Sequence, residues 1–375
     1  MTELSYRPTW IEVDLDAIRY NVNQLQQRLS NTTKIYAVVK ANGYGHGDAE
    51  VAKAALQSGA EALAVALLEE AIKLREAGIT APIIVLGWVA PEHVPIAAKE
   101  QITLTFFQKE WLQQVKSQDF KELLKLHLKV DTGMGRIGIQ KLEEIKDILK
   151  EVDDPRFCLE GMFTHFATAD ESELTYYQEQ KTMWESSQDI VQANWPDQLL
   201  MHTGNSAASM RFPQEMQDYV RFGIGMYGLY PSPVVKEEKP IPLKPALSLH
   251  ARLVHVKKVP PGKSISYGAT YTISDEEWIG TIQLGYADGL DRKLQGSDVL
   301  VNGRRMPLVG KICMDQCMVK LDQHYPIGTH VIVIGEQDKE IITMDEIAGR
   351  LGTINYEIAC MFSDRIPRFY KGAKV

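Results

Sequence analysis

At 375 residues the chain is longer than one domain usually needs, which predicts two. Hydrophobic residues make up 45% and charged residues 24%, an ordinary soluble balance with no disordered tail or low-complexity tract. The formal net charge of −8 argues against nucleic acid as the main partner, and leaves a small zwitterionic substrate open.

The opening stretch MTELSYRPTW has no apolar core of the signal-peptide type. The longest apolar run, Ile83 to Ala90, is far short of the roughly 20 residues a membrane helix requires. No membrane partner is therefore expected. Over the first 230 residues, short β-branched runs alternate with helical patterns. The predicted strands are Ile35–Val39, Ala62–Val65, Ile83–Leu86, Ile102–Phe106, Leu126–Val130, Leu159–Phe163, Leu200–His202 and Tyr219–Arg221. Between them, Asp48 can cap a helix whose Val51, Ala52, Ala55 and Leu56 share one face. The run 67–78 has Leu67, Ala71 and Leu74 in register and Gly78 as its stop. Eight strands alternating with helices predict a closed (β/α)8 barrel of the TIM type.

The pattern changes after Tyr230. Residues 231–245 hold five prolines and a charged cluster, which reads as a stiff linker. Short alternating strands follow. Residues 247–259 have period-two character, and Asn302-Gly303 is a strong hairpin signal. Thr343 and Glu346 suggest a capping box. The expected division is a barrel over 1–240 and a mostly antiparallel C-terminal β domain over 241–375, with a first strand near 8–14 a candidate to join the β domain. Four scattered cysteines, Cys158, Cys313, Cys317 and Cys360, read as reduced thiols. Cys313 and Cys317 lack the second Cys/His pair that a zinc site needs, so no metal is expected.

Barrels carry their chemistry at the C-terminal ends of the strands. Here that rule selects Lys40, Lys129, His165, His202 and Arg221, with loops holding Asp131, Arg136, Ser206 and Gly223. Each alone has a bland reading as a solvated lysine or a structural histidine. Their joint placement at one mouth favours a functional reading. An amine such as Lys40, its pKa lowered by neighbouring cations, can form a Schiff base with a carbonyl. That carbonyl could belong to a substrate, as in an aldolase, or to pyridoxal phosphate. The second option needs a phosphate cradle. Gly223 and Ile224 can offer close backbone N–H groups, Ser206 opens a short helix, and Tyr44 adds a hydroxyl. The glycine-rich GYGHG loop lets the backbone approach a ligand but lacks dinucleotide spacing.

Nine motifs, in order, resemble bacterial alanine racemases: AVVKANGYGHG (37–47), KVDTGMGRIG (129–138), HFATAD (165–170), HTGNSAA (202–208), RFGIGMYGLYPSP (221–233), SYGATY (266–271), QLGYADGLDR (283–292), GKICMDQCMV (310–319) and NYEIACMF (355–362). Gly43 departs from the alanine common at that motif position without removing any chemical group. The resemblance implies a pyridoxal 5′-phosphate barrel with a C-terminal β domain, working as a head-to-tail homodimer. It implies interconversion of L- and D-alanine in the cytoplasm, supplying D-alanine for peptidoglycan.

By the same resemblance Lys40 holds the cofactor and serves as one base, and Tyr267 is the base on the opposite face. Arg221 faces the pyridine nitrogen, His165 lies beside the ring, and His202 supports Arg221. Tyr44, Ser206, Gly223, Ile224 and Tyr356 bind the phosphate. Arg136 and Met314 meet the substrate carboxylate, and Asp315 accompanies Met314. Lys129 is implied to be carbamylated. Asp170, Tyr286, Arg292 and Tyr356 line the entrance. Two readings compete: another amino-acid racemase, such as one for serine, and a non-catalytic pyridoxal-phosphate carrier. Decarboxylases of this architecture place a carboxylate at the ring nitrogen, which Arg221 opposes.

Overall fold

The computed structural model describes residues 6–373. The start of the stretch read for a signal peptide lies outside them. The chain divides into two compact units. One comprises Asp16–Gly43 and Asp48–Pro245; the other takes in Tyr44–Gly47 and the described parts of Met1–Leu15 and Ala246–Val375.

The first strand, β1 (Thr9–Asp14), belongs to the second unit. The first unit is built on β2 (Lys34–Val38), β3 (Ala62–Val65), β4 (Ile83–Val85), β5 (Ile102–Phe106), β6 (Leu124–Lys129), β7 (Phe157–Phe163), β8 (Leu200–His202) and β9 (Tyr219–Phe222). These eight strands are the eight the sequence predicts, with no end shifted by more than two residues. They pair in parallel in chain order, and β9 closes on β2 with Tyr36 opposite Arg221. The barrel is therefore complete and has no free edge.

Leu63, Ile83, Val85, Leu104, Leu126 and Leu128 are each at most 1% exposed. Burying each such side chain contributes about 1.5–3 kcal/mol. Side chains alternate along a strand. On β6 this puts Leu124, Leu126 and Leu128 on one face and Lys125, His127 and Lys129 on the other. The barrel interior is consequently polar and aromatic along one side. Phe163 stacks on His202 at 4.5 Å, and Tyr36 packs on Tyr219 at 4.4 Å.

The proline-rich segment is not a plain linker. Pro233–Glu238 forms a helix, because Ser232 caps it by accepting from Val235 N–H at 3.3 Å. Proline suits the first turn, where its missing N–H would lack an intrahelical partner anyway.

The second unit continues with β10 (Leu247–Val259), β11 (Ser264–Ile265), β12 (Tyr271–Thr272), β13 (Glu277–Ile282), β14 (Asp298–Val301), β15 (Arg304–Val309), β16 (Cys317–Leu321), β17 (His330–Gln337), β18 (Glu340–Ile342) and β19 (Arg368–Lys371). Pairing is antiparallel except between β1 and β19. The long β10 pairs with both β13 and β17, closing a ring through β16, β15 and β14. The hairpin at Asn302-Gly303 is present, with Val301 opposite Arg304. Only half of the anticipated capping box forms. Thr343 Oγ1 accepts from Glu346 N–H at 3.1 Å, while the Glu346 carboxylate binds Arg305 at 2.6 Å. The guanidinium offers a charged donor where the box would offer a neutral backbone N–H.

Candidate active site

Strand β2 ends at Val38, two residues before Lys40. The chain then makes a left-handed turn: Ala41, Asn42, Gly43 and Tyr44 all have φ between 49° and 59°. Left-handed geometry costs about 1–2 kcal/mol per L-residue, so such a run is strained unless its surroundings hold it. Here they do. Ala41 N–H donates to Glu70 at 2.6 Å, Gly43 N–H to Val39 O at 2.9 Å, and Asn42 Oδ1 accepts from Asp48 N–H at 3.3 Å. The same Glu70 accepts from Ala66 and Leu67 N–H, tying the turn to the end of β3. Lys40 is half-buried at the base of this turn.

Arg221, on β9, is 3% exposed. Its Nη1 donates to His202 Nδ1 at 2.9 Å and His202 O at 2.8 Å. Its Nη2 donates to Thr164 O at 2.7 Å, Thr203 O at 2.9 Å and His165 Nδ1 at 3.1 Å. Among the described residues no carboxylate lies within 4 Å of it. Burial, then the charge of Arg136, pulls its pKa down to about 9, which leaves it cationic at neutral pH. Burial and Arg221 hold His165 and His202 well below the usual histidine value, so both are neutral acceptors toward the guanidinium.

Lys129 is 2% exposed; its Nζ donates to Val130 O at 3.2 Å and lies over the Phe163 ring at 5.0 Å. Burial and the Arg221 charge pull its pKa well below the ordinary lysine value. Arg136 is exposed on the loop after β6. Asp131 pins that loop, accepting from Gly133 N–H at 3.1 Å, Gly135 N–H at 3.0 Å and Gln140 Nε2 at 3.1 Å. Burial pushes the Asp131 pKa up, but these donors and Lys129 outweigh it and lower it. Asp170 sits in the same unit, its pKa raised by burial.

A phosphate fits this unit. Gly223 N–H and Gly225 N–H both point at Ser206 Oγ, at 3.0 and 3.3 Å. Two amide donors and a hydroxyl thus converge at the end of β9, the donor set an anionic oxygen requires. The remaining groups at this mouth, Lys40, Lys129, Arg136 and Arg221, all depress the His165 pKa, so the field favours an anionic ligand.

The second unit groups the other expected residues. Tyr44 and Tyr356 lie 6.4 Å apart, ring to ring, and burial raises the Tyr44 pKa. Tyr267 is 72% exposed, in a turn where Ser266 Oγ donates to Lys311 O at 2.5 Å. Met314 and Tyr286 are also exposed, and their loops are joined by Ala287 N–H donating to Met314 O at 3.0 Å. Asp315 pairs with Arg365 at 2.6 Å, and Arg292 is exposed in a 3-10 turn.

The description "Alanine racemase, N-terminal domain" matches residues 13–231, and "Alanine racemase, C-terminal domain" matches residues 246–370. Alanine racemase 1 of Bacillus subtilis is 51% identical over 370 residues, covering 98% of this chain and 94% of that one. The chain belongs to the alanine racemase family. A solved alanine racemase from Bacillus anthracis, with bound L-Ala-P, superposes with a TM-score of 0.96 at 47% identity, covering 98% of this chain and 96% of that one. A histidine racemase from Leuconostoc mesenteroides shares the fold at a TM-score of 0.92 and 31% identity, covering 99% of this chain and all of that one. In this family member, sequence reasoning passed over His127, Glu160 and Glu70. The first two had a visible signal: His127 lies two residues before Lys129, on the same strand face, and Glu160 is the one charge inside an apolar strand.

Proposed function

We propose that this enzyme interconverts L- and D-alanine by proton exchange at Cα, with pyridoxal 5′-phosphate as cofactor. Full-length similarity to alanine racemases supports this reading. The observation that carries it is Arg221, a buried cation whose partners are neutral acceptors.

Lys40 would hold the cofactor, Ser206 with the Gly223 and Ile224 backbone, Tyr44 and Tyr356 its phosphate, and His165 its ring face. When bound, the cofactor delocalises the electron pair left on Cα as its proton departs. Arg221 donates hydrogen bonds and accepts none. Facing the pyridine nitrogen, it would leave that nitrogen unprotonated, a weaker electron sink that would disfavour transamination and decarboxylation. Released by the incoming substrate amine, Lys40 Nζ would accept the α-proton on one face, and the Tyr267 hydroxyl would supply one on the other. Arg136 and the Met314 backbone orient the substrate carboxylate. A neutral Lys129 amine can add CO2, and the resulting carbamate would offset the Arg136 charge. His202 supports Arg221, and Asp315 holds its loop through Arg365. Asp170, Tyr286, Arg292 and Tyr356 narrow the entrance toward a methyl side chain.

The active form is a homodimer, in which a second copy supplies Tyr267 and Met314. Their exposure in the single chain supports this, since it leaves both side chains accessible to a second copy. We place the enzyme in the cytoplasm, where its four cysteines stay reduced and D-alanine is available for peptidoglycan. The histidine racemase neighbour shows that this architecture admits other side chains. Coupling to D-amino-acid oxidase, with L-alanine and L-serine supplied separately, decides between them. L-alanine should turn over at least tenfold faster; equal rates would sink the alanine assignment.

A further inference from the structure

The chain of hydrogen bonds that begins at Arg221 does not end at His202. His202 Nε2 lies 2.9 Å from His127 Nδ1, His127 Nε2 lies 3.2 Å from Glu160 Oε2, and Glu160 Oε1 meets Lys125 Nζ at 2.5 Å. His127 and His202 are both fully buried. The direction of the protons along this line is determined. A guanidinium can only donate, so His202 Nδ1 must accept from it. A neutral His202 then carries its proton on Nε2 and donates to His127 Nδ1. His127 in turn carries its proton on Nε2 and donates to the carboxylate. An Nδ1 proton on either ring would set donor against donor or leave a ring with no proton.

Two local features build the far end of this line. The register between β6 and β7 shifts between Leu126, opposite Leu159, and His127, opposite Gly161. Glu160 is the extra residue, and a bulge re-aims the side chain at that position. Gly161 leaves room for the imidazole: a Cβ there would come within 2.8 Å of His127 Cε1 and 3.0 Å of its Nδ1.

We propose that Glu160 and His127 are positioning residues for Arg221, the carboxylate acting through two imidazoles to hold His202 in the tautomer that accepts from the guanidinium. Glu160 is the anionic end of a polarised line whose cationic end is Arg221. The catalytic meaning rests on the reading of Arg221 as the group opposite the pyridine nitrogen.

The test uses pyridoxal-phosphate-loaded holoenzyme labelled with 15N-histidine. In the unmodified protein His127 and His202 should both give Nε2–H tautomer signals, and an Nδ1–H tautomer at either would overturn the proposal without any variant. Glu160→Gln retains an acceptor but removes the charge. It should shift the His202 nitrogen resonances and the visible absorption band of the bound cofactor. It should also lower kcat for alanine about tenfold and change KM less than twofold. A Glu160→Gln protein with unchanged tautomer signals and an unchanged cofactor band would overturn it. The tautomer signals need no turnover. A relay present in an enzyme inert toward alanine therefore supports the line of hydrogen bonds while rejecting the alanine reading.

Discussion

At the scale of single residues, the site is a problem in placing cations. Lys129 is buried, touches a backbone carbonyl and an aromatic face, and shares its surroundings with Arg221 and Arg136. An ammonium there costs desolvation and repulsion together, which is why its pKa falls. A neutral amine is also the form that reacts with CO2. Holoenzyme equilibrated with 13C-bicarbonate should therefore show a carbamate carbon resonance, and the Lys129→Met protein should lack it. A wild-type spectrum without that resonance would show the lysine unmodified. Gly43 illustrates the same economy in the backbone. It sits in a left-handed turn with φ of 59°, where glycine has no Cβ penalty, beside three residues that do.

At the scale of elements, alternation along strands and the loops beyond their ends divide the work. On β6, Lys125, His127 and Lys129 share one face because the side-chain period is two. The loop after it is ordered by one carboxylate, Asp131, which accepts three hydrogen bonds. Asp131→Asn keeps the shape, but removes the charge and turns one acceptor into a donor. A loss of about 1.5–3 kcal/mol in loop ordering follows for bonds to a charged group. Because Arg136 rides on that loop, KM for alanine should rise about tenfold with a smaller change in kcat. Steady-state kinetics in both directions would show it; an unchanged KM would mean that the loop does not orient substrate.

For the whole molecule, protons and partners set the working range. Burial depresses the pKa values of His127 and His202, so the folded chain refuses protons that the unfolded chain binds below its own pKa of about 6.5. Stability is therefore full above that value and falls as pH drops below it, by up to about 1.4 kcal/mol per pH unit for each such histidine. Glu160 acts in the same direction lower down. Hydrogen bonds from His127 and Lys125 overcome burial and bring its pKa to about 2, so its contribution is lost as pH falls from about 4.5 toward 2. Thermal unfolding should show a Tm that declines steadily from pH 6.5 to 5; a flat profile would refute neutral burial of these rings. The proposed shared-site dimer has its own test. Lys40→Ala and Tyr267→Phe proteins, each inactive, should recover up to about a quarter of wild-type activity on mixing, because half the dimers are mixed and one of their two sites is intact. No recovery after demonstrated subunit exchange would place both bases on one chain.

Local pattern alone determined much of this protein. Short β-branched runs alternating with helical segments specified the eight barrel strands, and the polar residues at their ends, Lys40 and Arg221 among them, were legible because strand ends can be read from the chain. The Asn302-Gly303 hairpin was legible for the same reason, since its turn depends on two adjacent residues. Only the tertiary structure decided that Glu160, His127, His202 and Arg221 form one line, that Glu346 turns to Arg305 instead of its own helix, and that Tyr267 stands in solvent. Periodicity reports which way a side chain faces. A hydrogen bond depends on ångström-scale distances between atoms brought together from remote parts of the chain, and burial on everything packed around them.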